Sequence, residues 1–215
     1  HPPVPPAVLL PLGCVAGGLV SLSIVLRVAR RSPDTVSVLL AGIVISMLFT
    51  SLGALLTSLT QDDWQLARAL MRFSLGSIDT KGLSHVVLAS PLCFSGIAAA
   101  WWWGRQMDVL LAGEDEARSL GLDLSALRRW LIVWSTLLVA AAVAIGGAIS
   151  FVGLVVPHLL RGVVGARHRT LIPAAAVGGA FFVLACDVLV RVLPTQSELP
   201  LGVVSGLIGA PIFLV

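Results

Sequence analysis

The sequence predicts an all-α fold, a polytopic transmembrane helical bundle, and three observations predict it. Of 215 residues, 57% are hydrophobic and 12% charged, about half the ~25% charge of an ordinary soluble domain. Mean hydropathy is +1.00. Apolar runs near the ~20 residues that cross a bilayer recur along the chain, at 7–28, 35–59, 85–103, 130–147, 149–165, 171–192 and 199–215. So few ionic groups cannot keep a globular surface wet, which excludes a water-soluble domain. The pI of about 9.2 does not imply nucleic acid. Thirteen of the 14 bases are Arg scattered between apolar runs, where they mark topology or meet anionic lipid.

The first run, 7–28, shows no separate charged, apolar and cleavage regions, so no removable signal is read. The chain starts at His1 and closes at Val215 inside an apolar run, and the reading is of an N-terminally truncated fragment of one transmembrane domain spanning 1–215. Cys14, Cys93 and Cys186 lie singly in different runs without C-x-x-C spacing, the pattern of small core residues. The second run, 35–59, begins at Thr35 beside Asp34, and either side chain suits a helix N-cap.

Segment 60–84 places Trp64, Leu66, Ala69, Leu70 and Phe73 at helical spacing between Arg68 and Arg72, then breaks at Gly76. It predicts a short amphipathic helix at the membrane interface or dipping back into it. The next run ends in Trp101-Trp102-Trp103 beside Gly104-Arg105, an aromatic belt with a charge anchor. Segment 104–129 predicts two short helices. One has an acidic first turn, Glu114 to Glu116, and stops at Gly121; the other is capped by Ser125 and leads into the run at Trp130. Leu110, Leu111, Leu120, Leu122 and Leu127 among the charges give it the character of a docking knob rather than a solvated loop.

Between Arg129 and Arg161 the chain must cross twice in few residues, with a turn at Gly146-Gly147, and Pro157 makes the second leg short or kinked. In the run 171–192, Asp187 and Arg191 share one helix face. Intramembrane charge costs ~2.5–3.5 kcal/mol on insertion scales, so a structural ion pair is expected. His158, His85 and His168 have no second ligand at metal spacing, so no metal site is read. Alternating the loops puts Arg27, Arg30, Arg31, Arg105, Arg118, Arg128, Arg129, Arg161, Arg167 and Arg169 on one side, against Arg68, Arg72, Lys81 and Arg191. The positive-inside rule then makes 29–34, 104–129 and 166–170 cytoplasmic, and 60–84 and 193–198 external.

The stretch from Leu111-Ala112-Gly113-Glu114 to Gly121 resembles the permease subunits of type II ATP-binding-cassette importers, the family of iron-siderophore, haem and cobalamin uptake. Three further motifs carry the likeness: Gly147-Ala148-Ile149-Ser150-Phe151-Val152-Gly153 through Pro157-His158-Leu159-Leu160-Arg161; Asp187 through Arg191; and Glu198-Leu199-Pro200-Leu201-Gly202 ending in Gly209-Ala210-Pro211. The resemblance implies about ten spans, of which about seven are present. It implies a homodimer of permeases in the bacterial inner membrane, two ABC ATPase subunits and a periplasmic substrate-binding protein, with membrane lipid around it, no nucleic acid and no cofactor. It assigns Gly113, Glu114, Ala117, Arg118, Leu120 and Gly121 to ATPase coupling, Thr35 to a cytoplasmic gate, and Arg191 to binding-protein docking. It also makes His158 part of a packing pattern independent of cargo. The chain has no G-x-x-x-x-G-K-[ST] phosphate loop, so ATP hydrolysis falls to a partner and the chain is read as a transport subunit, not an enzyme. The cargo implied is an iron chelate or haem, with cobalamin as the alternative. A secondary transporter or channel would want several intramembrane acids, and Asp187 stands alone in a predicted span.

Overall fold

The computed structural model of the chain describes residues 6–31, 35–59, 64–78, 82–192 and 199–214. Its elements are all α-helices: α1 (Pro6–Arg31), α2 (Thr35–Leu59), α3 (Trp64–Leu75), α4 (Leu83–Trp102), α5 (Gly104–Leu110), α6 (Glu114–Ser119), α7 (Leu124–Gly146), α8 (Val152–Val164), α9 (His168–Val192) and α10 (Leu201–Leu214). Among the described residues four helices are long and apolar enough to cross a membrane, within α2, α4, α7 and α9, and the apolar helices Gly13–Val28, Val152–Val164 and Leu201–Ile212 are shorter.

Helix α7 is the spine. It packs between α1 and α4, while α9 packs on α8 and also meets α4, α5 and α10. Side chains cannot supply a hydrophobic drive between helices in lipid, so close approach at small residues holds them. Ala140, Ala141 and Ala144 of α7 are buried. Gly96 of α4 lies so near Leu138 of α7 that a Cβ there would come within 2.5 Å of Leu138 Cδ2, and Gly178 of α9 stands in the same relation to Leu160 of α8, at 2.9 Å. The small-residue runs of the sequence thus mark contact seams.

Two boundaries differ from the sequence reading. Helix α7 begins at Leu124, and its cap is Asp123 rather than the Ser125 read from the sequence: the Asp123 carboxylate accepts from the Ser125 and Ala126 N–H groups, both at 3.0 Å, and from Ser125 Oγ at 2.6 Å. The helix read after Ser125 is thus the first turns of α7 itself, and the other short helix of segment 104–129 is α5, which precedes α6, restarts after Trp103 and was not read from the sequence. Helix α8, with 13 residues, is about 20 Å long at 1.5 Å per residue, too short for a ~30 Å hydrocarbon core; this is the short leg that Pro157 predicts. Segment 60–84 does form a short helix, α3, followed by Gly76 in a left-handed turn, φ 76°.

Candidate functional site

The candidate site is the end of the bundle where α5, α6 and the starts of α7 and α9 meet. Helix α6 is one and a half turns long, and short helices do not stand alone; its surroundings hold it. At its C-terminus the Leu122 N–H donates to the Ala117 carbonyl at 3.1 Å and the Gly121 N–H to the Arg118 carbonyl at 2.9 Å, a Schellman closure that needs the positive φ of 80° at Gly121. Ala117 has no exposed surface, so α6 turns one face inward. Leu111 and Leu120, 61% and 67% exposed, stand outward on either side of it.

Glu114 ties this helix to α7. Its carboxylate accepts from Arg128 Nη2 at 2.8 Å across 14 residues of chain, and from Arg118 Nη2 at 3.4 Å within α6. Arg118 also reaches Asp115 at 3.5 Å. These charges are at least half exposed, so each pair contributes only ~0.2–1 kcal/mol; what they fix is direction. The Asp123 carboxyl is held below its ordinary value by the Ser125 hydroxyl and then the Ala126 N–H.

A second link joins α5 to α9. Asp108 Oδ1 accepts from the His168 N–H at 2.7 Å and lies 2.8 Å from His168 Nδ1. Burial pushes the Asp108 carboxyl up, but the His168 N–H, the His168 ring and Arg167 together hold it below the usual carboxylate value. Sequence reasoning missed this pair, as it missed the role of Arg128. Sixty residues separate Asp108 from His168, and no local signal marks them as partners. Beside them, Trp103 stacks on Trp130 with centroids 5.9 Å apart, and the Arg169 guanidinium lies 4.6 Å above Trp101.

At the other end of α7, about 35 Å away for its 23 residues, the links are backbone to backbone. The Ser77 N–H donates to the Gly146 carbonyl at 2.9 Å, the Ala148 N–H to Phe73 at 3.1 Å and the Leu201 N–H to Gly76 at 3.1 Å. Phe151 takes a left-handed conformation at the head of α8, φ 66°, and its side chain presses on Gly209 of α10. One non-glycine residue held so costs on the order of 1–3 kcal/mol, which the surrounding packing must offset.

Of the remaining predicted residues, Asp187 and Arg191 do pair: Arg191 Nε donates to Asp187 Oδ2 at 2.8 Å, with the Asp187 side chain 12% and the Arg191 side chain 61% exposed. Thr35 opens α2, but its side chain and residues 32–34 lie outside the described set. The structure brings Gly113, Glu114, Ala117, Arg118, Leu120 and Gly121 together in one knob and leaves Arg191 on another helix.

A match to the FecCD transport family covers residues 2–215. The chain belongs to that family. It is 38% identical over 208 residues to the hemin transport system permease protein HmuU of Yersinia pestis, covering 94% of this chain and 60% of that one. It is 37% identical over 201 residues to the cobalamin import system permease protein BtuC of Halobacterium salinarum, covering 93% and 53%. Among solved structures, a chain described as an inward-facing conformation of a metal-chelate type ABC transporter superposes with a TM-score of 0.82 at 31% identity, covering 89% of this chain and 61% of the other. The FecCD chain described here thus spans about half to two thirds of the length of the relatives it matches. Membership supports the all-α membrane fold directly, and these relatives are permease proteins by name.

Proposed function

We propose that the chain is the membrane-spanning permease part of an ATP-driven importer, which moves an iron chelate or haem inward by alternating access. The observation that carries this reading is the α6 knob. It is a short outward helix whose inner face is sealed at Ala117 and whose first residue, Glu114, grips Arg128 of the spine. A load applied to Leu111, Leu120 and the α6 charges passes into α7 without bending a loop, as coupling between a motor and a bundle requires. Gly113, Glu114, Ala117, Arg118, Leu120 and Gly121 are assigned to that contact.

In the full assembly two ATPase subunits sit beneath a pair of permeases in the bacterial inner membrane, with segment 104–129 on the cytoplasmic side. A periplasmic binding protein docks opposite, where Arg191, held at Nε by Asp187, presents a positioned cation to an acidic side chain. Thr35, at the cytoplasmic head of α2, serves as the gate. The relatives are named for hemin and for cobalamin, and the iron-dicitrate permease FecD of Escherichia coli is 34% identical over 210 residues. All three cargoes are bulky metal chelates; cobalamin is the alternative cargo for this chain. The test is uptake by vesicles holding the complete permease, its ATPase and its binding protein, offered labelled ferric siderophore, haem and cobalamin in turn. ATP-dependent accumulation of an iron chelate or haem is the expected result. Accumulation that persists without ATP would overturn the importer reading in favour of a secondary transporter.

A further inference from the structure

The corner between α4, α5 and α9 carries more positive charge than its neighbours use. Gly104, the first residue of α5, abuts Arg169 so closely that a Cβ would lie 3.0 Å from Arg169 Cγ. Asp108, four residues on and on the same helix face, is occupied by the His168 N–H and ring. Arg105, three residues before Asp108, occupies that side of α5 as well and is exposed. Arg167 is also exposed and near enough to Asp108 to influence its charge. Three guanidiniums thus belong to this corner, and the Asp108 oxygen described in it, Oδ1, already serves His168. Arg169 lies over the Trp101 ring, and its Nε is a buried donor with no hydrogen-bond partner among the described residues. Such an atom keeps its desolvation penalty unless something outside the chain accepts from it.

The corner also sits where a bilayer's headgroups belong. Helix α4 is an apolar candidate span, His85–Trp102, and its last residue, Trp102, is 72% exposed. Tryptophan prefers the headgroup level, and basic pockets between spanning helices at that level suit anionic headgroups. Arginine's planar fork matches a phosphodiester bidentately. We propose that Arg105, Arg167 and Arg169, with Trp101 and Trp102 as the apolar floor and rim, form a seat for the phosphate of an anionic phospholipid. A seated lipid bridges α5 to α9 beside the Asp108–His168 pair, so it stiffens the platform that carries the α6 knob. The proposal stands independently of cargo and of ATP coupling.

The complete permease, extracted from bilayers of mixed phosphatidylcholine and phosphatidylglycerol, is assayed by native mass spectrometry for the ratio of the two lipids it retains. Arg169→Gln should lower phosphatidylglycerol preference about fivefold, the worth of one base near a charged surface, and Arg105→Gln with Arg167→Gln should lower it further. Arg27→Gln, an exposed base on α1, should leave the ratio unchanged. If Arg169→Gln fails to insert, the Arg105→Gln, Arg167→Gln pair decides, since both residues are exposed. Inorganic phosphate in the buffer is the competing arm: the lipid ratio should persist in it. A ratio unchanged in these variants, a loss equal to theirs in Arg27→Gln, or abolition of the preference by free phosphate overturns the proposal.

Discussion

The two ends of α7 are held by different chemistry. Near Leu124 the connections are side chain to side chain, Glu114 to Arg128 and, on the neighbouring helices, Asp108 to His168, in positions water can reach. Near Gly146 they are peptide to peptide, from α3, the α7–α8 turn and the head of α10, closed over glycines. An exposed ion pair can lengthen and re-form at little cost, while a buried peptide group that loses its partner costs far more. The first end is therefore suited to receive a moving partner, and the second to hold three segments in fixed register. Breaking the second should damage the fold; breaking the first should damage function and spare the fold.

The largest effect is expected from Gly202→Ala at the peptide-bonded end. Its new methyl group would collide with the carbonyl oxygen of Leu75 and lie 2.7 Å from that of Ala148, both backbone atoms that cannot rotate away. Overpacking of this kind costs about 1–3 kcal/mol or more, and the yield of monodisperse protein and its Tm should both fall. Gly147, with φ 70° and a Cβ that would meet the Phe73 carbonyl at 2.5 Å, should respond in the same way. A Tm equal to the parent's in both variants would remove the proposed contrast between the ends.

Replacing Glu114 and Arg118 together by Ala comes next. Because these charges are at least half exposed, Tm should move little, while ATP-driven uptake falls or hydrolysis runs uncoupled from it. Full transport in this variant would show that the knob is not the coupling element.

A smaller, pH-dependent effect belongs to Asp108. Its folded carboxyl titrates below the unfolded one, so the α5–α9 link contributes stability above the ordinary carboxylate pKa of about 3.9 and loses it as pH falls through the lower, folded value. The protection of the His168 amide, its exchange measured against the free-peptide rate at each pH, should fall on acidification through that window. In Asp108→Asn that protection should be low already at neutral pH and nearly flat with pH; an unchanged acid profile would sever the link from its assigned cause.

Asp123→Ala should have the mildest consequence. Loss of the cap frees the Ser125 and Ala126 N–H groups, and exchange there should rise while the remainder of α7, buried on α1 and α4, stays protected. Spread of the fraying past the first turn would mean that the cap, not packing, defines where α7 starts.

Features read from neighbours in the chain were legible in advance. The α6 stop at Gly121, the amphipathic α3, the short α8 and the Asp187–Arg191 pair all rest on contacts within a few residues. The cap of α7 was misplaced by two residues, from Asp123 to Ser125, because both residue types cap well and the choice depends on where the chain leaves α6. Trp101 and Trp103 read as belt residues, yet one lies beneath Arg169 and the other against Trp130; belt position is a matter of depth, and partner choice is not.

Composition and helical periodicity alone determined that this chain enters a membrane, roughly where its helices run, and that a stiff charged knuckle interrupts them, since each follows from groups a turn or less apart. Tertiary structure alone decided that Glu114 meets Arg128, that Asp108 meets His168 across sixty residues, and that peptide bonds from three segments close over Gly147 and Gly202. Many arginines and carboxylates are equivalent as charges along the sequence, and only the packing of whole helices selects which of them come within reach.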